Sequence, residues 1–184
     1  MSKIVVVNGP NLNLLGKREP EIYGTRSLAD LNDMLRARAA ELHVQVSLFQ
    51  SNSEGEIIDF LQKEAPGSAG VIINPGAFSH YSLALYDCLQ SLALPVVEVH
   101  LSNIHAREKF RSRSVTARAA RGVITGLGFD GYKLARAGAV IKAKLRNVIT
   151  GSIFEQSFRS GDKFKTVRIE STEATYQYTD GNHH

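Results

Sequence analysis

At 184 residues, with 43% apolar and 22% charged residues, the chain is long enough for one domain with a substantial core, and no apolar run approaches the ~20 residues that span a bilayer. A single cysteine, Cys88, excludes an intramolecular disulfide and fits a reducing cytoplasm, and the opening MSKIVVVNG is too short an apolar run for a signal peptide. The formal net charge of +4 gathers in AREKFRSRSVTARAAR, where Arg107, Lys109, Arg111, Arg113, Arg118 and Arg121 meet only Glu108; a nucleic acid, a small anionic substrate or a subunit contact would each account for it.

Residues 3–7 (KIVVV) read as a buried strand, a β-branched run stopped by Asn-Gly-Pro. A charged, Pro-containing loop follows, GKREPEIYG, with Tyr23 as its one aromatic residue. A surface tyrosine with a wet hydroxyl is the plain account of it. Ser27 caps a helix, with Asp30 three residues on as a weak capping box and Leu28, Leu31, Leu35 and Leu42 as its stripe. VQVSLF (44–49) is a second strand, and EGEIIDFLQKEA a second helix stopped by Pro66-Gly67. GVIIN is a third strand, and SHYSLALYDCLQSL a third helix that holds Cys88 on its apolar side as a core residue. PVVEVHL is a fourth strand, RGVIT a fifth, and a last helix is expected over 131–146.

Strand and helix therefore alternate five times, with short apolar strands. The pattern calls for an α/β fold, a doubly wound five-stranded parallel sheet of flavodoxin-like order, covered by helices on both faces. This domain is expected to occupy 1–146. The tail, 147–184, departs from the pattern; FKTVRIE and ATYQYT within it are a candidate strand pair.

In open parallel sheets ligands bind beyond the carboxyl ends of the strands. Asn8, Asn11, Asn13, Arg18 and Tyr23 follow the first strand, and Asn74, Gly76 and His80 the third. Glu98, His100, Ser102, Asn103, Arg107 and Arg111 lie at or after the end of the fourth. Glu98 and His100 are two apart on a strand and share a face, where a carboxylate fixes an imidazole's tautomer and favours its charged form. A buried histidine satisfied by a nearby acid fits the same spacing. GLGFDG (126–131) matches G-x-G-x-x-G literally, but no acidic residue stands at the ribose-binding offset, so its glycines are read as packing the last helix closely on the sheet.

Four separated motifs, NGPNLNLLGKREPEIYG, NPGAFSH, EVHLSNIHAREKFR and GVITGLGFDGY, together resemble the type II 3-dehydroquinate dehydratases over about residues 3–143. The resemblance implies a flavodoxin-like, cytoplasmic, metal-free lyase without organic cofactor, assembled as a dodecamer of four trimers. It implies dehydration of 3-dehydroquinate to 3-dehydroshikimate, in aromatic amino-acid biosynthesis or in quinate breakdown. By the same resemblance Tyr23 matches the general base at C2 of the substrate. Arg18 matches the charge that favours its phenolate, since a free tyrosine pKa of about 10 is too high for a base at neutral pH. Asn11 matches the holder of a water at the enolate oxygen, and His100 the general acid at the departing C1 hydroxyl, oriented by Glu98. Asn74 with Leu101 and Ser102 matches the carboxylate site, and His80 and Arg111 the grip on the ring hydroxyls. Asp87 matches a carboxylate that reaches a neighbouring subunit's site. Phe78 departs from a common family tyrosine, and RSRSVTARAAR from the usual His-, Pro- and aromatic-containing segment.

Two readings of other classes remain beside this one. A metal-dependent hydrolase would be built on His80, Glu98, His100 and His105, although no dense ligand motif such as H-E-x-x-H is present. A nucleic-acid-binding module would use the basic run at 107–121, although only Phe110 offers it an aromatic platform.

Overall fold

The β-branched run of β1 (Lys3–Asn8) is buried from Val5 to Asn8, as suits a strand inside a parallel sheet covered on both faces. The computed structural model describes residues 2–17 and 24–135 and, beyond them, the backbone of two strands, β6 (Ile141–Arg146) and β7 (Ile153–Phe158). Arg18 and Tyr23 lie outside the described residues, as does the candidate strand pair of the tail.

β1 pairs in parallel with β2 (Gln45–Gln50) on one side and β3 (Gly70–Asn74) on the other. β4 (Val96–His100) and β5 (Gly122–Thr125) extend the sheet, giving the order β2-β1-β3-β4-β5. This is the flavodoxin-like, doubly wound arrangement. The order reverses between β1 and β3, so their connections leave toward opposite faces and open a crevice at their carboxyl ends.

The alternation of side chains along each strand divides the core in two. Val5, Val7, Val71, Ile73 and Val96 share one cluster with Ile57 and Leu61 of α2 (Glu54–Glu64) and Leu85 and Leu89 of α3 (Leu83–Ser91). Val6, Ile72 and Val99 share the other with Leu31 and Leu35 of α1 (Leu28–Glu41) and with Phe129 and Tyr132 at α4 (Asp130–Leu134). Each such side chain, fully buried, contributes roughly 1.5–3 kcal/mol. Cys88 belongs to the first cluster, and burial pushes its thiol pKa up, which fits a packing residue.

The helices start where their caps dictate. Ser27 Oγ accepts the Asp30 N–H at 3.2 Å while the Asp30 carboxylate accepts the Ser27 N–H at 2.7 Å, a complete capping box. α3 begins later than its apolar pattern suggests. Gly76–His80 forms a 3-10 turn, and Ser82 caps the helix by accepting the Leu85 N–H at 2.9 Å.

The expected helix over 131–146 is corrected. α4 stops at Leu134, and Ile141–Arg146 is a strand paired antiparallel with β7. The segment IKAKLR alternates apolar and basic residues with a period of two, a strand pattern that the alanines upstream disguise.

The candidate active site

Two interlocked turns build the crevice. Gly9 donates its N–H to the Asn74 carbonyl at 2.8 Å, and a Cβ on Gly9 would stand 2.3 Å from the Pro75 carbonyl oxygen. Only glycine lets the chain leaving β1 approach the chain leaving β3 so closely. Asn11 follows with φ 66°, a left-handed conformation that asparagine tolerates, and its N–H is held by Asn52 Oδ1 at 2.9 Å. Leu12 and Leu15 are buried in the core, which ties the start of the GKREPEIYG loop to the sheet.

The resulting cleft has a volume of about 190 Å³. Asn11, Asn74, His80, His100, Leu101, Ser102 and Arg111 all line it, brought in from the ends of β1, β3 and β4 and from the segment after β4. Asn74 is almost wholly buried, and its Oδ1 accepts the Gly76 N–H at 3.1 Å. Asp87 stands apart on the exposed side of α3 and does not line this cleft.

Glu98 is fully buried on β4 and meets His100 Nε2 at 2.7 Å. A buried carboxylate is costly unless donors satisfy its lone pairs. Ser114 Oγ donates to its Oε1 at 2.7 Å and Thr116 Oγ1 to its Oε2 at 2.6 Å. Sequence reasoning missed both hydroxyls. They stand 16 and 18 residues from Glu98, in the segment that departs from the family pattern, and no local motif links them to it.

His80 is fixed from the same side. Its Nδ1 lies 2.9 Å from the Arg113 carbonyl, which can only accept, so Nδ1 carries the hydrogen and Nε2 is the nitrogen free to act as acceptor. Arg107 joins Arg111 in the wall, and both approach Glu108, at 3.4 and 3.0 Å. Glu108's own backbone N–H, with the charges of Arg111 and Arg107, holds its carboxyl below the usual range. The two inner arginines of the basic run thus face the cleft, where they favour an anionic ligand.

The glycine motif serves this site from behind. Gly126 and Gly128 donate their N–H groups to the carbonyls of His100 and Leu101, at 3.2 and 3.0 Å. A Cβ on Gly131 would meet Val99 at 3.2 Å and Ile124 at 3.4 Å, so this glycine lets α4 lie close on the sheet. Among the described residues no three His, Cys, Asp or Glu side chains are placed to hold a metal ion, so His80, Glu98, His100 and His105 do not form such a group. No helix among those residues is long and apolar enough to cross a membrane.

Residues 2–140 match the family model for dehydroquinase class II. Two curated relatives named 3-dehydroquinate dehydratase align closely. The protein from Halothermothrix orenii is 58% identical over 132 residues, 72% of this chain and 89% of the relative. That from Bacillus licheniformis is 56% identical over 135 residues, 73% of this chain and 93% of the relative. The crystal structure of a type II dehydroquinase from Butyrivibrio crossotus superposes with a TM-score of 0.72 at 45% identity, covering 73% of this chain and 94% of that one. A second model, the elongation factor P KOW-like domain, matches residues 127–164. Where the two matches overlap, the residues up to Ala135 are built into the five-stranded unit, and β6 begins only at Ile141. On the motifs, the fold and the length of the match, the chain belongs to the class II dehydroquinases.

Proposed function

We propose that this chain is a 3-dehydroquinate dehydratase, converting 3-dehydroquinate to 3-dehydroshikimate by anti elimination of water through an enolate. The observation that carries this reading is the fully buried Glu98 holding His100 at 2.7 Å on the wall of a cleft that is also lined by two arginines. Membership of the family supplies the substrate.

In this mechanism Tyr23, as phenolate, removes the C2 proton, which the neighbouring C3 ketone acidifies. Arg18, on the same loop, favours the phenolate by its charge. Asn11 presents a water to the enolate oxygen. His100 gives its proton to the C1 hydroxyl as the carbon–oxygen bond breaks, and water leaves. Glu98 orients the ring and balances its charge. Asn74 and the backbone at Leu101 and Ser102 hold the substrate carboxylate, while His80 and Arg111 take the ring hydroxyls. No residue in this sequence of steps requires a cofactor. The pathway is aromatic amino-acid biosynthesis or quinate catabolism, in the cytoplasm.

Purified protein mixed with 3-dehydroquinate should develop the absorbance of a conjugated enone. His100→Ala should lower kcat by ~10²–10⁴. Absence of product from the folded wild type would reject the activity.

We also propose that Asp87 completes the cleft of a neighbouring subunit in a trimer, four trimers making a dodecamer. Its exposed place on α3, away from its own cleft, supports this. Activity and sedimentation followed together through a dilution series test it, and a fully active monomer would sink it.

The chain divides, in this reading, between Ala135 and Ile141, earlier than the sequence pattern suggests. A catalytic unit precedes the division and a KOW-like segment follows it. The separate pairing of β6 with β7 supports this division.

A further inference from the structure

We infer that Ser114 and Thr116 are positioning residues for the general acid, fixing through Glu98 which nitrogen of His100 faces the substrate. The inference rests on the reading of His100 as proton donor given above. A hydroxyl has one hydrogen to give. Ser114 Oγ accepts the Ala117 N–H at 3.1 Å, and Glu98 Oε1, at 2.7 Å, is nearer to it than Thr116 Oγ1 at 3.3 Å or the Ser79 carbonyl at 3.5 Å, so its own hydrogen is directed to the carboxylate. Thr116, fully buried, gives its hydrogen to Oε2 at 2.6 Å. Both carboxylate oxygens therefore receive hydrogens from one side, and Glu98 is held as an acceptor toward His100. Nε2 of His100, at 2.7 Å, must then carry a hydrogen in both charge states of the ring. The proton that is given up in catalysis leaves from Nδ1.

The segment that carries the two hydroxyls is itself anchored to the opposite wall of the cleft. The Val115 N–H donates to the Ser79 carbonyl at 2.6 Å, and the Arg113 carbonyl receives His80 Nδ1 at 2.9 Å. One short stretch, 113–116, thus sets the orientation of both imidazoles in the cleft.

Without the hydroxyls, His100 is the one donor left of the three that meet the buried Glu98, and a carboxylate short of donors in a buried setting favours the protonated form. A protonated carboxyl can donate to Nε2, which reverses the tautomer and removes the charge that supports the imidazolium. The groups around His100 are Glu98 behind it and His80, Arg107 and Arg111 across the cleft, with Glu108 beside the two arginines. Of these, Glu98 is the anion in contact with the ring. His100 acts when protonated, so kcat falls as pH rises through the loss of its proton. Weakening the carboxylate moves that fall to lower pH.

The test compares Thr116→Val, Ser114→Ala and the hydroxyl-keeping Thr116→Ser in the full-length chain, with folding checked by circular dichroism. Thr116→Val should lower kcat on the order of tenfold to a hundredfold, as lost supporting hydrogen bonds do at other sites. KM should stay close to wild type, the alkaline limb of kcat should move to lower pH, and Thr116→Ser should recover most of the loss. Nitrogen-15 spectra of the ring, read at a pH where His100 is neutral, should give the Nε2–H tautomer in wild type and Nδ1–H in Ser114→Ala and Thr116→Val. Wild-type kcat with the Nε2–H tautomer retained in both hydroxyl-free variants would overturn the inference, as would a folded Thr116→Ser no better than Thr116→Val. If the wild type does not turn over 3-dehydroquinate, the proposed activity fails, and the ring spectra still decide the positioning role.

Discussion

Tyr132 lies buried beneath the cleft, and its hydroxyl donates to Asn8 Oδ1 at 2.6 Å while also bonding the side chain of Asn74. It thereby links the ends of β1 and β3 from below. Burial drives its pKa far up, so this phenol stays protonated and cannot be the base. Tyr132→Phe keeps the ring but leaves Asn8 Oδ1 without this donor. It should cost about 1–3 kcal/mol in denaturant unfolding and leave the acidic limb of the pH–rate profile in place. A shifted acidic limb would mean that Tyr132 takes part in the proton transfer. The lining of the cleft was legible in the sequence where a chemically distinctive residue follows a strand end: Asn11, Asn74, His80, His100 and Arg111. Ser114, Thr116 and Tyr132 were not legible as site residues. Hydroxyls are common, and their partners lie 16, 18 and 124 residues away, joined only by the fold.

At the scale of elements, local signals served well where they were complete. The capping box of α1 states its own start, and the β-branched strands ended by Asn-Gly or Asn-Pro state theirs. The box also makes a measurable prediction. The Ser27 N–H and then its hydroxyl hold the Asp30 carboxyl below its ordinary pKa. A carboxyl depressed in the folded state stabilises above its unfolded pKa, and that contribution is lost as pH falls through the folded value. Asp30→Asn should therefore lower Tm at neutral pH, with the difference from wild type shrinking below about pH 4. A difference in Tm that does not change with pH would exclude the charge as its source. The end of α4 is hidden in the sequence because Lys, Leu, Arg and Ala all favour helix, which masks the period-2 alternation of IKAKLR. Propensity is the weaker signal of the two once a partner strand is present.

The whole molecule is set by where the sheet ends. β5 is the last strand of the five-stranded unit, α4 closes its face with Phe129 and Tyr132, and Ala135 is the last described residue of that core. β6 and β7 pair with each other, and the model of another family begins within α4's approach and runs to residue 164. A cut near residue 150 would fall between the two strands, so the informative truncation ends the chain after residue 140, where the dehydroquinase match also stops. Every group assigned to the chemistry then remains, as do both core clusters. The truncated chain should fold with a stability within about 0.5 kcal/mol of the full chain, the scale of changes that touch no core contact. Its kcat and KM for 3-dehydroquinate should match those of the full chain. The vulnerable place is an apolar groove at the far side of α4, lined by Leu35, Ala39, Leu42, Val46 and Ala135. If the truncated protein unfolds at markedly lower denaturant, residues beyond 140 cover that groove and the two parts are one folding unit. If it stays equally stable but loses turnover, those residues act on the site or on the assembly, which sedimentation of the truncated chain would separate.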